Sequence, residues 1–298
     1  MAGNRKRRKP LLLSHTRPPS TPKTLSLSSQ ATRSSIRRHH ILQKQLQAAI
    51  LNGNSVLTER LRAQLGASGG LQRYQEASIQ GQSSERGGDS SKVLMEWITE
   101  HESQYRRHHT AKPEKLRMLE VGALKVDNAC SRSGIFNVTR IDLHSQHPDI
   151  QTQDFMEMPV PSPGTSAEDG FDVVSLSLVV NYLGDPSSRG EMLKRVSSFL
   201  RSSRETSKDE AGSAFPALFL VLPASCVTNS RYLDEERLEG IMITLGYVQA
   251  RRKLSKKLVY YLWRYQGSGA GQAQTVSYKK QEVRAGGSRN NFSIVLQS

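Results

Sequence analysis

The sequence of 298 residues has few cysteines and no long apolar runs. Its two cysteines, Cys130 and Cys226, are too few for a disulfide framework or a cysteine-rich zinc site, and they suit a reducing compartment. No run of 18 or more apolar residues occurs, so we predict no transmembrane helix and no membrane partner. The apolar run at 11–13 is too short for the core of a signal peptide.

Acidic residues are outnumbered by basic ones, and the basic excess lies at the two ends. The sequence has 42 Lys and Arg against 27 Asp and Glu, a formal net charge of +15. Residues 1–40 contain ten basic residues and no acidic one, and residues 251–298 contain ten basic residues and one acidic one. Residues 111–250 are mildly acidic, with fourteen basic and nineteen acidic residues. Two basic ends on an acidic body favour a polyanionic partner such as RNA.

Composition divides the chain into four segments. Residues 1–35, with four prolines and a basic cluster at 5–9, are predicted to be a disordered tail that carries a nuclear-import signal. Residues 36–110 are predicted to be a helical N-terminal region or lid. Residues 266–298 are predicted to be a basic, flexible C-terminal segment with a closing strand at 292–296. Residues 111–265 remain for the main folded domain.

Hydrophobic periodicity predicts the fold of that domain. Apolar runs typical of buried strands occur at 116–121, 135–141, 171–180, 217–222 and 257–264, and a weaker candidate for the third strand occurs at 150–154. Stretches with helical periodicity occur at 186–201 and 234–245, and before the domain at 36–65, as a helical hairpin, and at 93–109. Buried strands that alternate with helices predict an α/β protein with a parallel, doubly wound, Rossmann-like sheet.

A glycine and an acidic residue indicate a nucleotide site in this sheet. Gly122 follows the first predicted strand, and Asp142 ends the second, 20 positions later. A glycine there lets the backbone approach a ligand, and the acidic residue accepts hydrogen bonds from ribose hydroxyls. Residues 122–127 read GALKVD, so the dinucleotide motif G-x-G-x-x-G is absent, and no P-loop occurs. An ordinary turn at Gly122 and a helix cap at Asp142 are the alternatives.

An acidic residue two positions before the glycine favours S-adenosylmethionine (SAM) as the cofactor. Glu120 occupies this position, from which a carboxylate reaches the amino-acid portion of SAM directly or through water. Asp154, near the end of the third predicted strand, is a candidate acceptor for the amine of the cofactor's adenine ring. His144 and His147 have no cysteine or carboxylate partners at ligand spacing, so we predict no metal site.

Two further motifs each allow a structural and a functional interpretation. Asn181 and Tyr182 follow the fourth predicted strand, where an amide beside an aromatic ring can hold a flipped base, or simply form a turn. Arg86-Gly-Gly-Asp89 suits a tight turn that caps the next helix. The same motif suits a loop that closes over the cofactor, with Arg86 contacting a carboxylate or phosphate.

Three stretches resemble one enzyme family. Residues 69–97 (GGLQRYQEASIQGQSSERGGDSSKVLMEW), 119–124 (LEVGAL) and 171–186 (FDVVSLSLVVNYLGDP) are similar to the fungal 25S rRNA adenine-N1-methyltransferase family. The resemblance implies a SAM-dependent class I methyltransferase that modifies 25S rRNA within the pre-60S particle in the nucleolus. It places Gly122 and Asp142 at the family's cofactor-binding positions. We expect this enzyme to act as a monomer.

Two other functions remain open at this point. A SAM-binding sensor without turnover would need Gly122 and Asp142, but neither a base pocket nor basic ends. A general RNA-binding protein with a degenerate fold would show no SAM affinity. The two basic ends favour the enzyme over the sensor.

Overall fold

A computed structural model gives the architecture of most of the chain. It describes residues 29–70, 76, 88–108, 115–145, 147–161, 170–201, 215–267 and 276–297. Most of the predicted tail at 1–35 lies outside these residues, and so does Arg86. No helix within the described ranges is long and apolar enough to cross a membrane.

Two helices at the N-terminus form the predicted hairpin. Helix α1 spans Ser29–Leu51 and helix α2 spans Ser55–Ala67. Asn54 ends the connection between them, and its side chain accepts a hydrogen bond of 3.0 Å from the Leu57 amide, which caps α2. The two helices pack through a small apolar cluster of Leu42, Leu46, Ala49, Leu61 and Leu65.

Seven strands form one sheet in the order β3-β2-β1-β4-β5-β7-β6. The first five strands are parallel, whereas β7 runs antiparallel to both β5 and β6. Their bounds are β1 Leu116–Val121, β2 Phe136–Asp142, β3 Gln151–Thr152, β4 Val173–Ser177, β5 Ala217–Pro223, β6 Tyr247–Leu254 and β7 Leu258–Tyr265.

The sheet is therefore mixed, and the prediction of a wholly parallel sheet is wrong at one edge. Strand β6 has no counterpart among the predicted strands, because only Tyr247 of its eight residues is buried and its last five residues read ARRKL. Three residues separate β6 from β7, which is enough for a hairpin but not for the crossover that a parallel pair requires.

Helices cover both faces of the sheet, which confirms the α/β Rossmann-like class. Helix α3 (Ser91–His108) packs Leu94, Trp97 and Ile98 on one face, together with Phe219 and Val221 of β5. On the other face, helices α5 (Pro186–Val196) and α7 (Glu235–Thr244) pack with Leu218, Leu220 and Leu222. Two short helices complete the layers: α4 at Ala129–Arg132 and α6 at Ser225–Thr228. Because β5 is covered on both faces, its sequence is continuously apolar.

Residues 276–297 dock on the folded domain, which differs from the flexible segment predicted there. Ile294 and Leu296 are 1% and 4% exposed, and Ile294 packs into the main apolar core. The predicted strand at 292–296 is reduced to a single bridge between Tyr278 and Leu296. The backbone oxygen of Val295 would lie 1.9 Å from a Cβ placed on Gly190, so the segment contacts α5 at backbone distance.

Candidate active site

The turn after β1 requires a glycine for two independent reasons. Gly122 has a φ of +73°, which side chains other than glycine rarely adopt. A Cβ at this position would also lie 2.8 Å from Cγ2 of Val179. The amides of Gly122 and Ala123 both donate to the carbonyl oxygen of Ile141, at 2.9 and 3.0 Å. The chain therefore turns sharply at the carboxyl edge of the sheet, as predicted for a nucleotide-binding turn.

A pocket of about 200 Å³ opens beside this turn. It is formed where β1 and β4 end and where α3 and α4 begin. The pocket brings together three of the predicted site residues, Asp89, Glu120 and Gly122. Other polar residues that line it are Ser90, Asn128 and Ser177.

Glu120 is a largely buried acid in this pocket. Its side chain is 17% exposed, and both carboxylate oxygens accept hydrogen bonds from Nδ2 of Asn128, at 2.7 and 2.9 Å. Nε of Arg140 lies 4.0 Å from Oε2. Burial raises the pKa of Glu120 to about 7, although the Asn128 hydrogen bond and the Arg140 charge oppose the rise. A cationic ligand group beside Glu120 would favour its ionised form.

Asp89 joins the starts of two helices at the rim of the pocket. Its Oδ1 accepts hydrogen bonds from the amide and the hydroxyl of Ser91, at 2.9 and 2.7 Å. Its Oδ2 accepts one from the amide of Ala129, at 2.6 Å. These contacts support the capping interpretation of Asp89. Arg86, the other predicted residue of this motif, lies outside the described residues, and the cofactor-lid role stays a prediction.

The two other predicted cofactor residues lie at the same edge but do not line the pocket. The register of β1 and β2 pairs Val121 with Ile141, so Asp142 ends β2 next to Gly122. Oδ1 of Asp142 accepts a hydrogen bond of 2.9 Å from the His144 amide. Oδ1 of Asp154 accepts one of 2.8 Å from the Met156 amide and caps the turn after β3. Binding of ribose and adenine by these residues stays a prediction.

Asn181 and Tyr182 lie in a short 3-10 turn, Val180–Tyr182, just after β4. The chain enters this turn through Leu178, which has a φ of +60°, unusual for a residue with a side chain. Oδ1 of Asn181 is buried and accepts no hydrogen bond from the part of the chain that the structure describes. Buried acceptors normally have a partner, so this oxygen is suited to a donor on a bound ligand.

Sequence reasoning missed the polar residues that hold the pocket together. Asn128 caps α4 by accepting a hydrogen bond from the Ser131 amide at 2.9 Å, which leaves its Nδ2 to contact Glu120. The hydroxyls of Ser90 and Ser177 lie 2.8 Å apart and link the start of α3 to the end of β4. A capping asparagine before a short helix is visible in the sequence. The serine pair spans 87 positions and depends on the tertiary fold.

The described residues contain no group of three or more His, Cys, Asp or Glu side chains that could hold a metal ion. His144 and His147 lie in the turn region after β2, where Nδ1 of His147 accepts a hydrogen bond of 3.1 Å from the Asp149 amide.

Solved methyltransferase structures show only low similarity to this chain. The N-methyltransferase NodS from Bradyrhizobium japonicum, in complex with S-adenosyl-L-homocysteine, is 14% identical with a TM-score of 0.34, covering 57% of this chain and 87% of NodS. Magnesium protoporphyrin IX methyltransferase from Synechocystis is 12% identical with a TM-score of 0.36, covering 59% and 81%. The fold assignment therefore rests on the strand order of the sheet itself.

Two curated relatives are much closer in sequence. A Schizosaccharomyces pombe protein, "25S rRNA adenine-N(1) methyltransferase", is 40% identical over 225 residues, which is 76% of each chain. A Saccharomyces cerevisiae protein, "25S rRNA (adenine(2142)-N(1))-methyltransferase", is 37% identical over 235 residues. That match covers 78% of this chain and 62% of the longer yeast protein.

A family model matches most of the chain and includes every described element of the site. The model is that of "25S rRNA (adenine(2142)-N(1))-methyltransferase, Bmt2", and it matches residues 59–294. This range runs from α2 through the whole sheet to the docked C-terminal segment. The resemblance predicted from the sequence is thus confirmed, and the chain belongs to the Bmt2 family of 25S rRNA (adenine-N(1)) methyltransferases.

Proposed function

We propose that this protein transfers a methyl group from SAM to N1 of an adenine in 25S rRNA. Membership of the Bmt2 family gives the reaction and the substrate. The structural observation that carries the proposal is the buried carboxyl of Glu120, which faces a pocket beside Gly122, where a side chain would be both strained and crowded. A buried carboxyl next to a partly exposed stretch of backbone suits a ligand with a cationic group, which would contact Glu120, and a second portion, which would lie against the backbone at Gly122.

The residues at the carboxyl edge fit the chemical groups of SAM. Glu120 would hold the ammonium of the amino-acid portion, since a buried acid is stabilised in its ionised form by a cation. The turn at Gly122 would admit the cofactor close to the backbone. Asp142 would accept hydrogen bonds from the ribose, and Asp154 would accept one from the amine of the adenine ring. SAM supplies an electrophilic methyl group on a sulfonium.

The target adenine needs positioning rather than a strong base. N1 of adenine has a free lone pair at neutral pH, so the enzyme's task is to hold N1 in line with the methyl carbon. Asn181 and Tyr182 are proposed to hold the base, with Oδ1 of Asn181 accepting a hydrogen bond that it lacks among the described residues. The methylated ring is positively charged, so a carboxylate or carbonyl oxygen beside the bound base would stabilise that charge.

The substrate chemistry also sets the context in which the enzyme works. N1 lies on the Watson–Crick edge, so the adenine must be unpaired or flipped out. A pre-60S particle in the nucleolus offers such incompletely folded rRNA during ribosome biogenesis. The basic cluster at 5–9 supports entry into the nucleus, and the basic ends support RNA affinity that falls with salt. We propose that the enzyme acts there as a monomer.

Calorimetric titration with SAM tests the assignment of the site. Asp142→Ala is expected to weaken SAM binding at least about tenfold, because it removes hydrogen bonds between a charged group and ribose hydroxyls. Asp149→Ala is the matched control, since Asp149 follows the same strand but its side chain is 73% exposed. Equal SAM affinity in wild type and Asp142→Ala would contradict the assignment.

A further inference from the structure

The hairpin formed by β6 and β7 carries a concentrated group of exposed cations. Arg251, Arg252, Lys253, Lys256 and Lys257 are all exposed. No acidic residue occurs between positions 240 and 281, so acidic partners of these cations come from other parts of the sequence, as Glu235 does for Arg252 and Glu96 does for Lys253. Such a cluster at one end of a sheet creates a positive field that attracts phosphate groups.

The strand register places the tip of this hairpin at the carboxyl ends of the parallel strands, which is where the pocket lies. Leu258 at the start of β7 pairs with Pro223 at the end of β5, and Ser177 at the end of β4 pairs with Val221. The tip at 255–257 therefore extends beyond the carboxyl end of β4. Three strand spacings separate β4 from β6, about 14 Å in total. RNA bound in the site would thus pass within a few nucleotides of the hairpin.

The tip is held in one conformation by its own hydrogen bonds. The Ser255 amide donates to the carbonyl oxygen of Leu258 at 2.8 Å, and the Ser255 hydroxyl accepts from the Leu258 amide at 3.0 Å. The Ala224 amide donates to the carbonyl oxygen of Lys257 at 2.8 Å, which fixes the tip to the end of β5. A turn that is already ordered loses little backbone entropy when it binds a partner.

Two lysines, Lys253 of the hairpin and Lys92 of helix α3, lie between the hairpin and the pocket. Nζ of Lys253 lies 2.7 Å from Oε2 of Glu96 on α3. Lys92 lies one helical turn before Glu96, on the same side of α3, and lines the pocket. Lys253 and Lys92 thus mark a basic path from the hairpin to the rim of the pocket.

The acidic residue on this path does not block it. The side chains of Lys253 and Glu96 are 44% and 54% exposed, and ion pairs that are exposed to this degree contribute little to stability. A phosphate can therefore compete for Lys253 at small cost. Arg252 differs, because it contacts Glu235 through two hydrogen bonds of 2.8 Å and Glu235 also accepts one from Tyr261.

We propose that Lys253, Lys256 and Lys257 of the hairpin, together with Lys92, bind the phosphates of the rRNA strand that flanks the target adenine. The proposal rests on the proposed function and adds a location to it, since the flanking strand is guided along α3 into the pocket. Lysine contacts with phosphates position a nucleic acid without reading its sequence. The hairpin therefore contributes affinity and orientation, not choice of the base.

The double variant Lys256→Gln/Lys257→Gln tests this proposal in the full-length protein. We expect its KM for unmodified 25S rRNA to rise about tenfold, with kcat and SAM affinity unchanged. Its affinity for single-stranded oligoadenylate should become less sensitive to salt. The slope of log K against log salt should fall by about 1.4, or about 0.7 for each lost phosphate contact.

The control variant removes the same amount of charge at the other end of the strands, away from the pocket. Lys115 precedes β1 and Lys194 lies near the end of α5, so both exposed lysines lie at the amino edge. Lys115→Gln/Lys194→Gln should leave KM and the salt slope near the wild-type values.

Two results would overturn the proposal. Equal losses in both double variants would show a general effect of net charge. Wild-type values in Lys256→Gln/Lys257→Gln would mean that the tip of the hairpin does not bind the flanking strand. If the wild type methylates no RNA, the proposed function fails, and the oligoadenylate titration still decides whether the hairpin binds RNA.

Discussion

At the scale of single residues, Glu120 links the fold to the proposed cofactor. It is the fifth residue of a buried strand, and its carboxyl is held by Asn128 within a pocket that withdraws it from water. Burial raises its pKa to about 7, so near neutral pH both protonation states are populated without a ligand. Only the ionised form attracts an ammonium group, so binding of SAM should be coupled to loss of a proton.

The pH dependence of SAM binding follows from this coupling. Just above pH 7 Glu120 is mostly ionised, and the α-ammonium of SAM, whose ordinary pKa is about 7.7–8.0, is still largely protonated, so we expect the affinity to change little there. Below pH 7 the protein must release a proton to bind, so the affinity should fall by up to about tenfold for each pH unit. Calorimetry across this range would measure it, with Glu120→Gln as the comparison. The variant should bind SAM weakly with little pH dependence, and a wild-type profile in the variant would contradict the role of Glu120.

Gly122 offers a second prediction, with an internal control. Gly122→Ala combines a strained positive φ with a contact of 2.8 Å to Val179, and we expect a loss of about 2–3 kcal/mol in the free energy of unfolding. Gly134 has the same φ of +73° but open space around its Cβ position. Gly134→Ala should therefore cost only the backbone strain, about 1 kcal/mol.

Denaturant unfolding would measure both variants, and SAM titration would separate their effects on the site. Only Gly122→Ala should lose SAM affinity, because only this turn borders the pocket. Equal stability of the two variants would show that the contact with Val179 is relieved by a small movement.

Single residues also show what the sequence can and cannot reveal. Glu120 and Gly122 were predicted together because they are two positions apart on one strand and its turn. Asn128 and Ser177 were missed because their roles depend on partners that only the tertiary fold brings near. Asp142 and Asp154 were found by their places at strand ends, but their own turns satisfy part of their hydrogen-bonding capacity.

At the scale of elements, apolar runs predicted the central strands of the sheet but not the edge strand β6. Strands β1 and β5 are covered on both faces, so burial imposes an apolar sequence that is easy to find. Strand β6 lies at an edge with its second half exposed, and its basic residues have no strand-like periodicity. The C-terminal segment was misjudged for a similar reason, because only a few alternating residues, including Ile294 and Leu296, hold it in place.

Arg189 also helps to secure this segment, and it provides a prediction at the element scale. The buried guanidinium donates hydrogen bonds to the carbonyl oxygens of Leu183, Gly184 and Ser293. It also lies 4.4 Å from the ring centre of Phe292. Arg189→Met leaves these carbonyls unpaired, and we expect a loss of about 3 kcal/mol in the free energy of unfolding.

The matched control is Arg62→Met, because Arg62 is exposed and forms an ion pair with Glu59, which is also exposed. It should change the free energy of unfolding by less than about 0.5 kcal/mol. Limited proteolysis would add a local measurement, since loss of Arg189 should expose residues 276–297 to cleavage. A variant that keeps wild-type stability and protease resistance would show that apolar burial alone holds the segment.

At the scale of the whole molecule, the charge distribution and the sheet point to the same substrate. The proposed cofactor pocket and the basic hairpin lie at the carboxyl ends of the parallel strands, while the acidic middle of the sequence supplies most of the folded body. The Rossmann-like class was predictable from hydrophobic periodicity. The excess of basic residues at the two ends was predictable from composition. The position of the basic hairpin was not, since it depends on the antiparallel pairing of β7 with β5.

Transfer of labelled methyl groups tests the central claim most directly. The substrate is 25S rRNA from cells that lack this protein, and the product is identified by nucleoside analysis. We predict labelled 1-methyladenosine with the wild type and none with Asp142→Ala. SAM binding without any transfer would contradict the claim of catalysis and indicate a SAM sensor, and absence of SAM binding would contradict the assignment of the pocket itself.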